Sequence, residues 1–225
     1  MSGQQNDIHK EFELERMILF SDAVFAIAIT LLIIEIKFPE VPESATNAEI
    51  KELFKPVLIR FLGFILSFFF IGVMWSRHLK IFKYLKRYDN GVIIRNLVFI
   101  FFIVCFPFTA SGLTEHIREH FIFPIVLYVS NIACVMIAQL LLCSYLFRRD
   151  SKLTIYGFEA QKKYLLLQSL VGASVLSFAV ILVITVSLIF PGKTTYVLFS
   201  FYIIPFLLLV LRKRLKKYKP PKEVI

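Results

Sequence analysis

The sequence of 225 residues lacks the short motifs that soluble enzymes use for chemistry. There is no G-x-S-x-G string, no glycine-rich phosphate loop and no dinucleotide fingerprint. It has three cysteines, an odd number whose spacing matches no metal or redox pattern, so we expect Cys105, Cys134 and Cys143 to pack as small apolar side chains. The sequence therefore predicts no catalytic residue, no metal and no cofactor.

One string has the spacing of an enzyme motif. His116-Ile-Arg-Glu119-His120 matches the H-x-x-E-H pattern of a zinc-hydrolase class, and two histidines four residues apart can share a helix face. No third ligand is obvious nearby, and catalytic zinc normally has three protein ligands. A solvated connector between two spans is therefore the favoured interpretation.

Long hydrophobic runs dominate the chain. Hydrophobic residues make up 58% of it, 25 residues are Phe, and the mean hydropathy is +0.74. A membrane-spanning helix needs about 20 mostly apolar residues. Six runs qualify: 17–36, 57–76, 92–111, 122–147, 165–190 and 194–211. The predicted fold class is an all-α polytopic membrane protein with six transmembrane helices per subunit and no soluble catalytic domain.

Basic residues alternate between the loops. Lys and Arg cluster after the second span, after the fourth span and in the tail, whereas the other loops hold few. The positive-inside rule then places both termini in the cytoplasm, with 1–16 as a cytoplasmic segment, 17–211 as the transmembrane domain and 212–225 as a basic tail. Topology and attraction to anionic lipid account for the net charge of +10, so we expect a multi-pass cell-membrane protein that binds the lipid bilayer and no nucleic acid.

Polar residues open the first span. Arg16, Ser21 and Asp22 precede or enter a run that is otherwise apolar. An ionisable group at membrane depth costs roughly 2.5–3.5 kcal/mol on insertion scales, so such groups pair or face an interior. We therefore expect this helix to face protein or water on one side.

The first helix has two different faces at about 100° per residue. Ile27, Leu31 and Ile34 form one narrow stripe, which Thr30 flanks, and Asp22 lies about 140° away from Ile27. On composition alone, a lipid-facing or packing surface is the more frequent interpretation of such a stripe. We interpret Asp22 as a structural hydrogen-bonding group.

The string Arg16-x-x-x-Phe20-Ser21-Asp22, followed by Ala-Ile-Ala-Ile-Thr, resembles the signature of the transmembrane protein 175 (TMEM175) family of potassium channels. Trp75 and His78 resemble that family's Trp and His on the second helix. The sequence likeness is confined to 16–38 and 75–78. With one six-helix repeat, the chain resembles the prokaryotic members, which assemble as tetramers.

The resemblance implies a first helix that lines a central pore without a Thr-Val-Gly-Tyr-Gly filter. Ile27 matches the narrowest point, Leu31 and Ile34 match further layers, and Thr30 matches the pore threonine. The residues that match the family's structural polar network are Arg16, Phe20, Ser21, Asp22, Trp75 and His78. The implied function is a homotetrameric, weakly selective channel for K⁺ and other monovalent cations.

Glu35 lies about 40° from Leu31 near the outer end of the helix, where we expect it to attract cations weakly. Two other functions remain open. Asp22 and His78 are a titratable pair that a proton-coupled or small-solute transporter would use as a relay. A non-conducting membrane scaffold is the third.

Overall fold

A computed structural model describes residues 2–34, 36–115, 123–147, 152–190, 207–211, 213–215 and 217–220, with side chains from Phe12 onward. It contains six labelled helices: α1 (Ser2–Ile34), α2 (Asn47–Phe82), α3 (Asn90–Val104), α4 (Phe106–Glu115), α5 (Phe123–Leu146) and α6 (Glu159–Ile189). Within these ranges the β-structure is limited to one isolated antiparallel bridge, between Leu85 and Thr154. The predicted all-α class is confirmed.

Five helical segments in the described residues are long and apolar enough to cross a membrane. They correspond to the first five predicted spans. Of the sixth span, 194–211, the structure describes 207–211, which are helical. The boundary at residue 16 stays a prediction, because α1 runs through it without a break.

The third span consists of two helices. α3 ends at Val104, Cys105 forms a turn, and α4 starts at Phe106. Pro107 explains the break because a proline has no N–H to donate to the carbonyl four residues earlier and its ring crowds that carbonyl, whereas a proline is tolerated in a first helical turn. The Cys105 amide still donates to Phe101 O at 3.1 Å, so the two helices together form one membrane crossing.

α2 is longer than the apolar span 57–76 predicts. Its 36 residues extend over about 54 Å, which exceeds a hydrocarbon core of about 30 Å. A capping box begins the helix: the Thr46 amide donates to Glu49 Oε2 at 2.8 Å, and the Glu49 amide donates to Thr46 Oγ1 at 3.4 Å. The helix therefore starts outside the apolar run and continues through Pro56.

The apolar core lies between α1, α2, α3, α4 and α5. Its fully buried aromatic and aliphatic members include Phe25, Ile71, Phe99, Ile103 and Phe106. α6 packs mainly on α5 and completes this core at Ala173. Among the described residues, this arrangement leaves one long face of α1 exposed.

Two loops meet at one end of the bundle. The Lys86 amide donates to Leu153 O at 2.7 Å, and the Ile155 amide donates to Tyr84 O at 2.9 Å. The buried ammonium of Lys162 donates to Ile155 O at 2.7 Å. The α2–α3 and α5–α6 connections, both rich in Lys and Arg, therefore lie on the same side, as the predicted topology requires.

Candidate functional site

α1 presents a buried face and an exposed face. Ser21, Phe25, Ala28 and Leu32 are almost completely buried against the neighbouring helices. The aliphatic column, defined as Ile27, Leu31 and Ile34, is exposed to 58%, 39% and 64%. The two faces predicted from periodicity are therefore present, and the aliphatic column lies on the exposed face within the described part of the subunit.

Thr30 lies on the exposed face beside the aliphatic column. Its hydroxyl donates to Ile27 O one turn earlier at 2.9 Å. This bond satisfies the hydroxyl proton inside the helix and leaves the oxygen lone pairs directed outward as acceptors.

A polar cluster, defined as Ser21, Asp22, Trp75, His78 and Asn96, joins α1 to α2 and α3. His78 Nε2 lies 2.9 Å from Asn96 Oδ1, and Asn96 Nδ2 donates to Ser21 Oγ at 2.8 Å. The Ser21 hydroxyl in turn donates to Met17 O at 3.0 Å. Ser21, His78 and Asn96 are fully or almost fully buried, so this chain of bonds lies inside the protein.

The direction of these bonds assigns the His78 tautomer. Because the Asn96 amide nitrogen donates to Ser21, the Asn96 oxygen faces His78 and can only accept. Nε2 must therefore carry the proton. The other ring nitrogen, Nδ1, is buried and has no hydrogen-bond partner among the described groups.

Aromatic rings enclose the His78 imidazole. Phe82 stacks on it with ring centroids 4.1 Å apart, Phe99 is nearly parallel at 5.8 Å, and Phe25 is tilted at 5.6 Å. An apolar cage of this kind disfavours the charged form of a side chain. The geometry is therefore that of a hydrogen-bonded structural histidine rather than of a water-accessible proton acceptor.

Asp22 makes a separate connection. Trp75 Nε1 donates to Asp22 Oδ1 at 2.8 Å, which ties α1 to α2 near the edge of the polar cluster. The implied polar network between the first and second helices thus includes an Asp22–Trp75 bond. His78 was expected to connect the second helix directly to α1. In the structure it bonds Asn96 of α3, and Asn96 in turn bonds Ser21 of α1.

Asn96 is the residue that sequence reasoning missed. It was detectable as the single amide side chain in the apolar run 92–104. A lone amide in a transmembrane helix commonly bonds across to another helix. Asn96 and Ser21 are 75 residues apart in the sequence. Local periodicity therefore does not predict that α1 and α3 are in contact at this point.

Arg16 and Phe20 lie outside the polar cluster. Both are exposed in the subunit, and no hydrogen bond joins either of them to the cluster among the described contacts. Instead, the start of α1 meets the α2–α3 loop, where the Tyr88 hydroxyl donates to Glu13 Oε2 at 3.1 Å. Partial burial and the Glu13 carboxylate raise the pKa of Tyr88, while the charge of Arg16 opposes that shift.

The other residues singled out from the sequence are Glu35, the histidine string and the three cysteines. Glu35 and the string from His116 to His120 lie outside the described residues. Among the described residues, no group of three His, Cys, Asp or Glu side chains could hold a metal. Cys143 is buried beside Ser169 Oγ at 3.4 Å, as expected of a packing cysteine, and Cys105 and Cys134 are half-buried.

Residues 16–107 match the family described as "Endosomal/lysosomal potassium channel TMEM175". This region contains every residue of the polar cluster and of the aliphatic column. In this region the chain is similar to the TMEM175 family and to bacterial proteins named potassium channel.

Two relatives and one solved structure illustrate the likeness. A Streptomyces collinus protein named potassium channel is 35% identical over 104 residues, covering 46% of this chain and 49% of the relative. A Bos taurus protein named endosomal/lysosomal proton channel TMEM175 is 29% identical over 124 residues, covering 50% of this chain and 25% of the relative. The chain thus spans about half the length of the Streptomyces relative and a quarter of the bovine one.

The crystal structure of a TMEM175 homologue from Chamaesiphon minutus, titled a lysosomal potassium-selective channel homologue, superposes with a TM-score of 0.71 at 24% identity. The superposition covers 90% of this chain and 98% of that one. This likeness shows that the two chains share a fold.

Proposed function

We propose that this protein is a potassium-permeable cation channel whose ion path is lined by the exposed face of α1. The observation that carries the proposal is the division of α1: the polar cluster fixes one face to α2 and α3, while the aliphatic column is left uncovered. This division occurs within the region that matches the TMEM175 family. No catalytic chemistry is part of the proposal.

Four subunits around a central axis would cover this face. Exposed aliphatic side chains from several copies of α1 then form a narrow hydrophobic constriction, with Ile27 at its narrowest point and Leu31 and Ile34 as further layers. A homotetramer is the proposed assembly. It explains why large apolar side chains are exposed on the helix that also carries the family motif.

A hydrophobic constriction has predictable ion chemistry. Aliphatic side chains offer no oxygen to replace the hydration shell of an ion, so a tight ring dewets and closes, whereas a wider ring passes a partly hydrated ion. Potassium holds its water less tightly than sodium, which favours K⁺ modestly. We therefore propose weak K⁺ selectivity without a carbonyl filter, helped by cation attraction at Glu35 at the outer mouth.

The polar cluster has a structural role in this proposal. It sets the rotation of α1, so that the aliphatic column and Thr30 face the axis. The protein acts in the cell membrane with both termini in the cytoplasm, which agrees with the two basic loops lying at one end of the bundle.

The test is the reversal potential of purified protein in a planar bilayer, with K⁺ on one side and Na⁺ on the other. We expect discrete current steps whose reversal shifts towards the K⁺ equilibrium potential, and an altered shift in Ile27→Asn. Current steps whose reversal potential follows the anion gradient would contradict the proposal of a cation channel. Slow flux without steps, abolished by Asp22→Asn, would support the transporter instead.

Proton permeation is the second candidate function, because the bovine relative is named a proton channel. The transporter relay through Asp22 and His78 receives less support, since Asp22 bonds Trp75 and His78 bonds Asn96. A pH gradient across the same bilayer separates the candidates: a proton path shifts the reversal potential with pH at constant K⁺, and a K⁺ path does not.

A further inference from the structure

A basic cavity of about 380 Å³ lies between α2, the first turns of α6 and the tail. Its polar wall contains Ser76, Arg77 and Lys80 of α2 with Tyr164 and Gln168 of α6. Val73 and Leu215 form its apolar wall. This volume is within the range of small-molecule sites, and the mixture of an apolar wall with a few convergent polar groups is typical of them.

The positive charge of the basic cavity favours an anionic ligand. Of the described residues that line it, two are cationic and none is acidic. The acidic residue at the start of α6, Glu159, is paired with Lys162 at 3.1 Å. Guanidinium and ammonium groups bind phosphate oxygens through charge-assisted hydrogen bonds, and hydroxyl and amide groups supply further donors.

α5 holds the Arg77 side chain in place. Arg77 Nη1 donates to Oε1 of the fully buried Gln139 at 3.4 Å and contacts Met136 Sδ at 3.9 Å. A guanidinium has its N–H donors in a fixed fork, so the bond to Gln139 orients the whole group at the wall of the cavity that it lines. Anchoring of this kind lowers the entropy lost on ligand binding.

The cavity lies at the level expected for lipid headgroups. Trp75, two residues before Arg77, and Tyr164 are the aromatic types that concentrate at membrane–water interfaces. Val73 is exposed at the subunit surface, which gives an acyl chain a route along the apolar wall. The basic loops lie at this same end, and the cytoplasmic leaflet carries the anionic lipids.

We propose that the basic cavity binds the phosphate group of an anionic phospholipid from the cytoplasmic leaflet. Arg77 and Lys80 hold the phosphate oxygens, Ser76, Tyr164 and Gln168 donate to the headgroup, and Val73 and Leu215 contact the first methylenes of the chains. This site is independent of the ion path, because it uses α2 and α6 and no residue of the aliphatic column.

The test measures retention of phosphatidylglycerol by the full-length protein in phosphatidylcholine nanodiscs, with native mass spectrometry of the released protein as the readout. The variant Arg77→Gln/Lys80→Gln removes the cations of the cavity. The matched control is Lys86→Gln/Arg87→Gln, which removes the same two charges from the exposed α2–α3 loop. We expect affinity to fall about tenfold or more in the cavity variant and to stay within about twofold of wild type in the control.

Two further measurements keep the proposal falsifiable. Lys80→Gln alone changes an exposed side chain and should fold normally while weakening retention several-fold. Inorganic phosphate added to lipid-free protein in detergent tests the other source of the same chemistry. Equal losses of affinity in the cavity and control variants would show that the cavity is not a specific binding site. Binding of inorganic phosphate without retention of phosphatidylglycerol would show that the ligand is not a lipid.

Discussion

α1 and its neighbours are joined differently from α5 and α6. Side-chain hydrogen bonds from Ser21 and Asp22 connect α1 to α3 and α2. α5 and α6 meet mainly through close apolar packing, where Gly172 lies directly under the Met136 side chain, together with the contact between Cys143 and Ser169. In lipid the hydrophobic effect does not select one helix rotation over another, so polar bonds and small residues do. Directional bonds fix the rotation of α1, the helix that we propose to line the ion path.

The largest expected effect comes from breaking the polar cluster at its centre. Asn96→Leu removes the acceptor of the buried His78 Nε2, and it also removes the donor to Ser21, which keeps its bond to Met17 O. We expect the free energy of unfolding to fall by about 2–3 kcal/mol, measured by thermal or denaturant unfolding in detergent.

Asn90→Leu is the matched control, because Asn90 is an exposed amide on the same helix. Its unfolding free energy should stay within about 0.5 kcal/mol of wild type. Equal stability of the two variants would show that the polar cluster does not stabilise the α1–α3 contact.

A second prediction compares two glycines. A Cβ at Gly91 would collide with the ring and hydroxyl of Tyr145, which donates to Asp89 Oδ2 at 2.7 Å. A Cβ at Gly172 would meet the Met136 methyl, the movable end of a flexible side chain. We expect Gly91→Ala to cost about 1–3 kcal/mol and Gly172→Ala less than about 1 kcal/mol of unfolding free energy.

Gly72→Ala is the control for both glycine variants, since nothing lies within 4 Å of a Cβ there. It should be neutral or slightly stabilising because alanine favours a helix over glycine. If Gly172→Ala were more destabilising than Gly91→Ala, the contact between α5 and α6 would tolerate an added methyl group less well than the contact between Gly91 and Tyr145. That result would contradict the prediction.

Trp75→Phe tests the edge of the polar cluster. It keeps the ring and removes the donor to Asp22, which should cost about 1 kcal/mol and reduce the yield of assembled tetramer. Ion selectivity should not change, since Trp75 lies away from the aliphatic column. Normal assembly with altered ion preference, measured by size-exclusion chromatography and reversal potentials, would contradict this structural role.

The smallest expected effect concerns pH. Burial opposes ionisation of Asp89, but bonds from Tyr145, Val92 and Gly91, with the charge of Arg95, lower its pKa below the usual 3.8. A carboxyl with a lowered folded-state pKa contributes stability above pH 3.8 and loses it as the pH falls through the folded-state pKa.

The stability difference between wild type and Asp89→Asn should therefore be constant near neutral pH and shrink below pH 3.8, as followed by thermal unfolding across that range. Gly72→Ala, a change with nothing within 4 Å of the new Cβ, should show no such pH dependence over the same range. A difference that grows on acidification would contradict the assignment.

The fold was largely predictable because membrane spans are read from the length of apolar runs. The five described spans match their predicted runs, and the break near Pro107 follows from proline geometry. The length of α2 was missed, since its capping box lies before the apolar run and hydropathy does not detect it.

The candidate site was only partly predictable. The two faces of α1 follow from its period, and the bond between Asp22 and Trp75 joins two residues of the polar network that the family resemblance implied. Asn96 was missed because an interhelical bond depends on the α1–α3 arrangement, which local sequence does not encode. The exposed positions of Arg16 and Phe20 also depend on this arrangement. The pore roles of Ile27 and its neighbours remain predictions.

Cysteine accessibility at the aliphatic column tests the central proposal most directly. In a background without Cys105, Cys134 and Cys143, Ile27→Cys is compared with Ile33→Cys, which is exposed on α1 but outside the column. A cationic, membrane-impermeant thiol reagent is added during bilayer recording. The account predicts rapid block of the current in Ile27→Cys and no block in Ile33→Cys. Unchanged current in Ile27→Cys, with block in Ile33→Cys, would show that another face of α1 lines the ion path.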